Sequence, residues 1–488
     1  MKLGYFVLLS VAVVFMVSCV APPPPPAAPP PAPAPTPTPT PAPTPTPAPS
    51  PPPVPTPEPT PTPTAVPAIR DFDIYPEDKV AIERAEADIE LNRKGDVLLT
   101  ITDSQGRPAP GLSVKYELVR HSFLFGVAVY CDKPRHMLDY NEKVFDLLED
   151  AGIDYLTLHL SWRAVEPQEG FYTFSQLDQR FQLIYSKDFR LRGHALVFHG
   201  DKPTPEYVRT LSFDEYKAAV YRHVFDTVSH FKDKIKLWDA MNEPMNDERS
   251  NVMNFSEAQK TEVIQVAIQA IRDVQPDAII FINNALPGSE RPYTFLSKLN
   301  KAGIAYDIVG LQIYYNGYTE YAPFERLTLA QMGELIDHYS TLGKEIHITE
   351  FSVPSAHLEG KEGYWGEDWD EDLQAAYLKA AYTIFFSKPK VQSITWWNAY
   401  DHALTFIYHG GLCSESLQPK KAYYVLKDLI KSWTTSGTGV TDEKGQVSFR
   451  GFGGTYEVII SDLETGLSKK HEVMVEEQKD NLITIVFD

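Results

Sequence analysis

Between Ser122 and Trp433 the chain alternates short apolar runs with amphipathic stretches eight times over, a period that leaves few ways to fold. The apolar runs are Phe123–Val129, Tyr155–Leu160, Leu191–Phe198, Ile235–Met241, Ala278–Asn283, Asp307–Tyr314, Glu345–Thr349 and Ser393–Asn398. Mostly continuous apolarity at that length is what strands buried on both faces require. The stretches between them carry helix start signals at Ser212-Phe213-Asp214-Glu215, at Ser256-Glu257-Ala258-Gln259 and in the acidic run Asp370 to Asp372. Gly152, Gly303 and Gly343 fall where helices should stop. Eight such units closing on themselves make an α/β fold, a (β/α)8 barrel over 121–433 with its site at the C-terminal ends of the strands.

Two of the runs end on glutamate: Trp238-Asp239-Ala240-Met241-Asn242-Glu243 and His347-Ile348-Thr349-Glu350. Strands 4 and 7 lie on opposite sides of an eight-strand ring, so Glu243 and Glu350 are expected to face each other across its mouth. Two carboxyls so placed can cleave a glycosidic bond, one giving a proton to the leaving oxygen while the other attacks the anomeric carbon. A separation of about 5–5.5 Å would mean retention through a covalent intermediate. This chemistry requires no metal and no cofactor.

Five segments in all, the two glutamate runs among them, carry a resemblance. Trp162-Arg163-Ala164-Val165-Glu166-Pro167 is followed at fixed spacing by Gly170, Phe174 and Asp178. Arg192-Gly193-His194-Ala195-Leu196-Val197-Phe198-His199 follows, then the two glutamate segments, then Gln418-Pro419-Lys420-Lys421-Ala422-Tyr423. In this order and spacing they resemble the family 10 glycoside hydrolases, a class dominated by endo-β-1,4-xylanases. The resemblance implies Glu243 as acid/base, Glu350 as nucleophile and Asn242 on the sugar 2-hydroxyl. It also places His194 and Trp397 at the substrate, with Trp397 as the stacking platform; His199, Gln312 and the strand-end aromatics Tyr314 and Trp162 are further substrate-binding candidates.

The departures fall on the glycone side. Where that family carries E-N-E-M-K-W, this chain has Thr157-Leu158-His159-Leu160-Ser161-Trp162. Phe198 stands for a tryptophan, Asp201 for a glutamine, Ser352 for an aspartate, and Tyr314 for the histidine that supports the nucleophile. Trp365 and Trp369 either line a long loop after strand 7 or anchor it. Cys131 and Cys413 follow neighbouring strands 1 and 8, so a disulfide between them and two free thiols are both open.

The barrel is flanked by strand-like segments within 68–120, which begins with a helix over 76–94, and within 434–488. Spliced together they resemble a transthyretin-like sandwich, and one β-sandwich interrupted by the barrel is expected; two independent β-extensions are the alternative. Residues 1–19 have the layout of a signal peptide ending in Val17-Ser18-Cys19, similar to a bacterial lipobox with Cys19 as the lipidated residue. Residues 20–67 are Pro, Thr and Ala-rich, a polyproline tether of about 3.1 Å per residue. The expectation is therefore a monomeric surface lipoprotein held by its lipid alone, or else a freely secreted enzyme after cleavage near Ala21 or Ala28. A formal charge of −20 argues against nucleic acid as a partner and is indifferent to a neutral polysaccharide. The expected activity is retaining, endo-acting cleavage of a β-linked plant polysaccharide, xylan or decorated xylan. The alternatives are another or exo-acting specificity, or a surface glycan-binding protein with little catalysis.

Overall fold

The structure is a computed structural model describing residues 67–130, 142–245, 251–285, 288–314, 327–357, 363–401, 407 and 409–488. The signal segment with Cys19, the tether up to residue 66, and Cys131 lie outside the described residues.

Numbered in chain order, α1 (Pro76–Asn92), β1 (Lys94–Thr102) and β2 (Ser113–His121) precede the barrel. The barrel strands are β3 (Leu124–Val129), β4 (Tyr155–His159), β5 (Arg190–His194), β6 (Leu237–Asn242), β7 (Ile279–Asn284), β8 (Ile308–Gln312), β9 (Glu345–Phe351) and β10 (Val391–Trp396). They close in the order β10-β3-β4-β5-β6-β7-β8-β9, every neighbouring pair parallel. The helices α2 (Glu142–Asp150), α3 (Trp162–Val165), α4 (Phe174–Tyr185), α5 (Phe213–Phe231), α6 (Glu257–Val274), α7 (Glu290–Lys301), α8 (Leu329–Ser340), α9 (Glu371–Ser387) and α10 (Lys421–Ser432) fall between or after the strands.

Local chemistry explains the helix boundaries. Ser212 and Ser256 each close a capping box, with Glu215 and Gln259 returning the bond, and the Asp370 carboxylate accepts from the Leu373 amide. Gly152 and Gly343 adopt φ of 79° and 75° after α2 and α8, a left-handed conformation that costs glycine little. The strand reaching Phe198 in the sequence reading ends earlier, at His194, because the chain then leaves the sheet in short bridges, Phe198 pairing only with Asn242.

After the barrel come β11 (Ser436–Val440), β12 (Gln446–Phe452), β13 (Gly454–Ser461), β14 (Ser468–Val475) and β15 (Asp480–Val486). β1 pairs antiparallel with β12 and parallel with β15, while β2 lies between β11 and β13. Segments from both sides of the barrel therefore share both sheets, and the stacked rings of Tyr116 and Phe449, 3.9 Å apart, join one sheet to the other.

Arg93, fully buried between α1 and β1, ties this sandwich to the barrel. Its guanidinium donates to the carbonyls of Phe386, Lys388 and Val391 and to Glu477 Oε2 at 3.1 Å. Lys388 and Val391 stand where β10 begins, so the sandwich is fixed at the N-terminal end of that strand, away from the mouth. Helix α1 braces the other end through buried Asp78. That carboxylate accepts from the Ala330 amide at the start of α8, from the Tyr364 hydroxyl and from the Trp365 indole. Trp365 and Trp369 are both buried, and of the two readings open for them, loop anchoring is the one this arrangement matches.

Candidate active site

β6 delivers Asn242 as its last residue, and the chain turns sharply at Glu243, which adopts φ of 51°. A non-glycine side chain in that region costs about 1–2 kcal/mol, a strain associated with functional positions. The amide of Glu243 donates to the Asn283 carbonyl at 2.8 Å, which fixes the turn. Glu350 lies near the end of β9 and is buried.

A chain of side-chain amides runs between the two carboxyls. Gln312 Nε2 donates to Glu243 Oε1 at 3.0 Å and, more weakly, to Asn242 Oδ1 at 3.4 Å. Asn283 Nδ2 donates to Asn242 Oδ1 at 2.7 Å and to Glu350 Oε1 at 3.1 Å. Thr349 in turn donates to Asn283 Oδ1, so the amide orientation of Asn283 is set from both ends. With its oxygen engaged, Asn242 is left holding its NH2 as donor. On the far side of Glu350, the Tyr314 hydroxyl donates to Oε2 at 2.9 Å.

His194 approaches from the end of β5, its Nε2 4.0 Å from Glu350 Oε1. Its Nδ1 donates to Asp239 at 2.5 Å, and Asp239 also faces buried Arg192 at 3.5 Å. This arrangement orients the ring and places positive charge beneath the site.

Burial pushes the Glu350 carboxyl up to about 7, against the opposing pull of His194, and the charge of Glu243 adds to the rise. The hydrogen bond from Tyr314 and the field of Arg192 also work against it. The sequence reading assigned an ionised Glu350 beside a protonated Glu243. A proton on Glu243 removes the like charge and so eases ionisation of Glu350, while burial, the larger cause of the rise, still opposes it. Burial together with Glu350 raises the Tyr314 phenol well above its usual range, so it stays a hydroxyl and a donor.

Glu243, Glu350, Asn242, Gln312, Tyr314 and His194 thus come together, and Trp397, just past β10, meets the His194 ring at 5.5 Å. Trp397 is only 4% exposed, however, with little of its ring face left for a sugar. Two candidates lie elsewhere. Trp162, 1% exposed, stacks on His223 at 4.5 Å and donates to Glu166 at 2.9 Å. The short helix α3 turns its indole toward α5, so Trp162 and Glu166 of the conspicuous W-x-x-x-E-P run serve packing. His199 is buried beside Tyr216, with which its Nε2 bonds at 3.0 Å, and burial holds its pKa down to about 3. Cys413 is a free, buried thiol.

Asn283, Asp239, His159 and Tyr130 are the neighbours the sequence reading passed over as site residues. The polar pair Asn283-Asn284 at the end of an apolar run was the available signal for the first. Among the described residues no group of three or more His, Cys, Asp or Glu side chains is placed to hold a metal ion.

A model of glycosyl hydrolase family 10 matches residues 118–429. The chain is 25% identical to the anti-sigma-I factor RsgI6 of Acetivibrio thermocellus over 384 residues, 78% of this chain and 46% of that one. It is 27% identical over 278 residues to endo-1,4-beta-xylanase B of Neocallimastix patriciarum, 55% of this chain and 30% of that enzyme. The chain thus spans less than half the length of these two relatives. Xylanase 10B from Thermotoga petrophila in complex with xylobiose superposes with a TM-score of 0.51 at 22% identity, covering 64% of this chain and 94% of that one. That likeness supports the barrel fold.

Proposed function

Because the chain belongs to glycosyl hydrolase family 10, we propose that it hydrolyses the β-linked backbone of a xylan-type plant polysaccharide with retention at the anomeric carbon. The observation that carries this reading is the unbroken side-chain path Glu243–Gln312–Asn242–Asn283–Glu350, which fixes two carboxyls in one buried frame. Endo-cleavage is the mode named for the Neocallimastix relative.

In the first step a Glu350 oxygen bonds to the anomeric carbon while the bond from that carbon to the leaving oxygen breaks, and Glu243 gives that oxygen its proton. Bonding to the sugar neutralises Glu350. Glu243, now ionised and no longer facing a charged Glu350, takes a proton from water, whose oxygen attacks the same carbon and releases Glu350. The free NH2 of Asn242 suits the sugar 2-hydroxyl, a contact that strengthens as positive charge develops at the ring. His194 and Arg192 favour the ionised nucleophile, and Tyr314 steadies the oxygen that does not attack.

The test is trapping with a 2-deoxy-2-fluoro-β-xyloside bearing a good leaving group. Intact mass should rise by one fluoroxylosyl unit, with the label on the peptide holding Glu350. Hydrolysis of xylan without any trapped adduct, or an adduct on another carboxylate, would sink the assignment.

A further inference from the structure

In the reaction just proposed, the leaving group departs toward Glu243, which is held by Gln312 at the end of β8. The sugar under attack therefore lies on the other side of Glu350, beside His194, whose ring is backed by Trp397. Beyond those two, the ends of β3 and β4 close the way. The Tyr130 ring stacks on His159 with centroids 3.9 Å apart and planes 20° from parallel, a contact with no gap between them. His159 meets His194 and Trp397 edge-on, each at 5.2 Å. The Trp397 indole donates to the Tyr130 hydroxyl at 2.8 Å, which accounts for part of the cover that leaves this ring so little exposed.

Four rings from four strand ends thus fill the quarter of the mouth where a second glycone sugar would lie. Among the described residues, the end of β4 offers little to such a sugar. Across Thr157-Leu158-His159-Leu160-Ser161 there is no carboxylate, amide or ammonium for its hydroxyls, and Leu158 and Leu160 are buried. A sugar placed there would lose hydration without recovering its hydrogen bonds, and close-packed rings do not yield cheaply.

Resting on the hydrolase reading, we infer that Tyr130 and His159 wall the cleft one sugar beyond the cleavage point. The enzyme then removes single sugars from the non-reducing end of its chain. Both are specificity-determining residues, since neither is needed for bond cleavage itself.

The experiment uses the full chain with β-1,4-linked xylohexaose, cellohexaose and mannohexaose labelled at the reducing end, products being resolved at early conversion. The expected first products are the monosaccharide and the labelled pentaose. The kcat/KM for an aryl β-xylobioside should exceed that for the aryl β-xyloside by no more than about threefold, since a second glycone sugar adds no binding. The double variant Tyr130→Ala/His159→Ala, checked for folding by circular dichroism, should shift the first cut to disaccharide release and raise that ratio about tenfold or more. Internal first cuts by the unmodified enzyme, or a bioside preference beyond about tenfold, would overturn the inference and leave the hydrolase reading standing. No cleavage of any hexaose would overturn both.

Discussion

The Tyr314 hydroxyl and Glu350 Oε2 lie 2.9 Å apart, where the family pattern places a histidine beside the nucleophile. A hydrogen bond to a carboxylate is worth about 1.5–3 kcal/mol, and in the proposed mechanism this one orients the oxygen that does not attack. Tyr314→Phe should lower kcat about 10- to 100-fold with little change in KM. It should also move the acidic limb of the pH profile upward, because the bond favours the ionised form. Steady-state kinetics from pH 4 to 9 read both effects.

Glu350 also carries a stability cost. Its folded pKa of about 7 lies above the ordinary 4.5, so the folded state holds a proton that the unfolded chain has released. Stability therefore falls as pH rises from about 4.5 through about 7, by roughly 3 kcal/mol at the upper end. Glu350→Gln, inactive, should melt a few degrees above the unmodified protein at pH 8 and lose that advantage near pH 4.5. An equal difference at both pH values would contradict the raised pKa.

Asn283 touches both Asn242 and Glu350 and stands one bond from each. Asn283→Ala should cost about 10- to 100-fold in kcat, since the Asn242 amide loses its orientation and Glu350 loses a donor. Asn283→Asp should be worse, because it sets a third carboxyl against two. Near-normal kcat in the alanine variant would show that the amide chain is dispensable.

Arg93 binds the sandwich to the base of β10 and pairs with Glu477 across a nearly dry contact. Arg93→Ala leaves that carboxylate and three carbonyls without their donor, so a loss of about 3–5 kcal/mol is expected. The turnover of the folded fraction should be unchanged, since this contact lies at the other end of β10 from the mouth. Chemical unfolding and active-site titration separate the two effects.

The alternation of apolar runs made the barrel legible, because strands buried on both faces must be short and apolar and helices must show a longer period. The conjunction Asn242-Glu243 with Thr349-Glu350 likewise pointed to the carboxyl pair, since both end strands of one parallel ring, three places apart, and so lie at the same mouth. The joint sheets outside the barrel were legible from a pattern split across the chain, and their pairing follows register for register, as in Val97 opposite Phe449.

Side-chain direction at the strand ends was not legible. Trp162 and Trp397 both follow a barrel strand, and both read as platforms for a sugar. The turn of α3 sends Trp162 toward His223, while Tyr130 and His159 close over Trp397. The sequence by itself determined the barrel, the opposed glutamates and the absence of the family's polar grip on strand 2, because each is written in local residue order. The tertiary structure alone decided which rings close over Trp397, which amide links the two carboxyls and how far burial lifts Glu350. Those outcomes depend on partners tens to hundreds of residues apart, brought together only when the ring of strands closes.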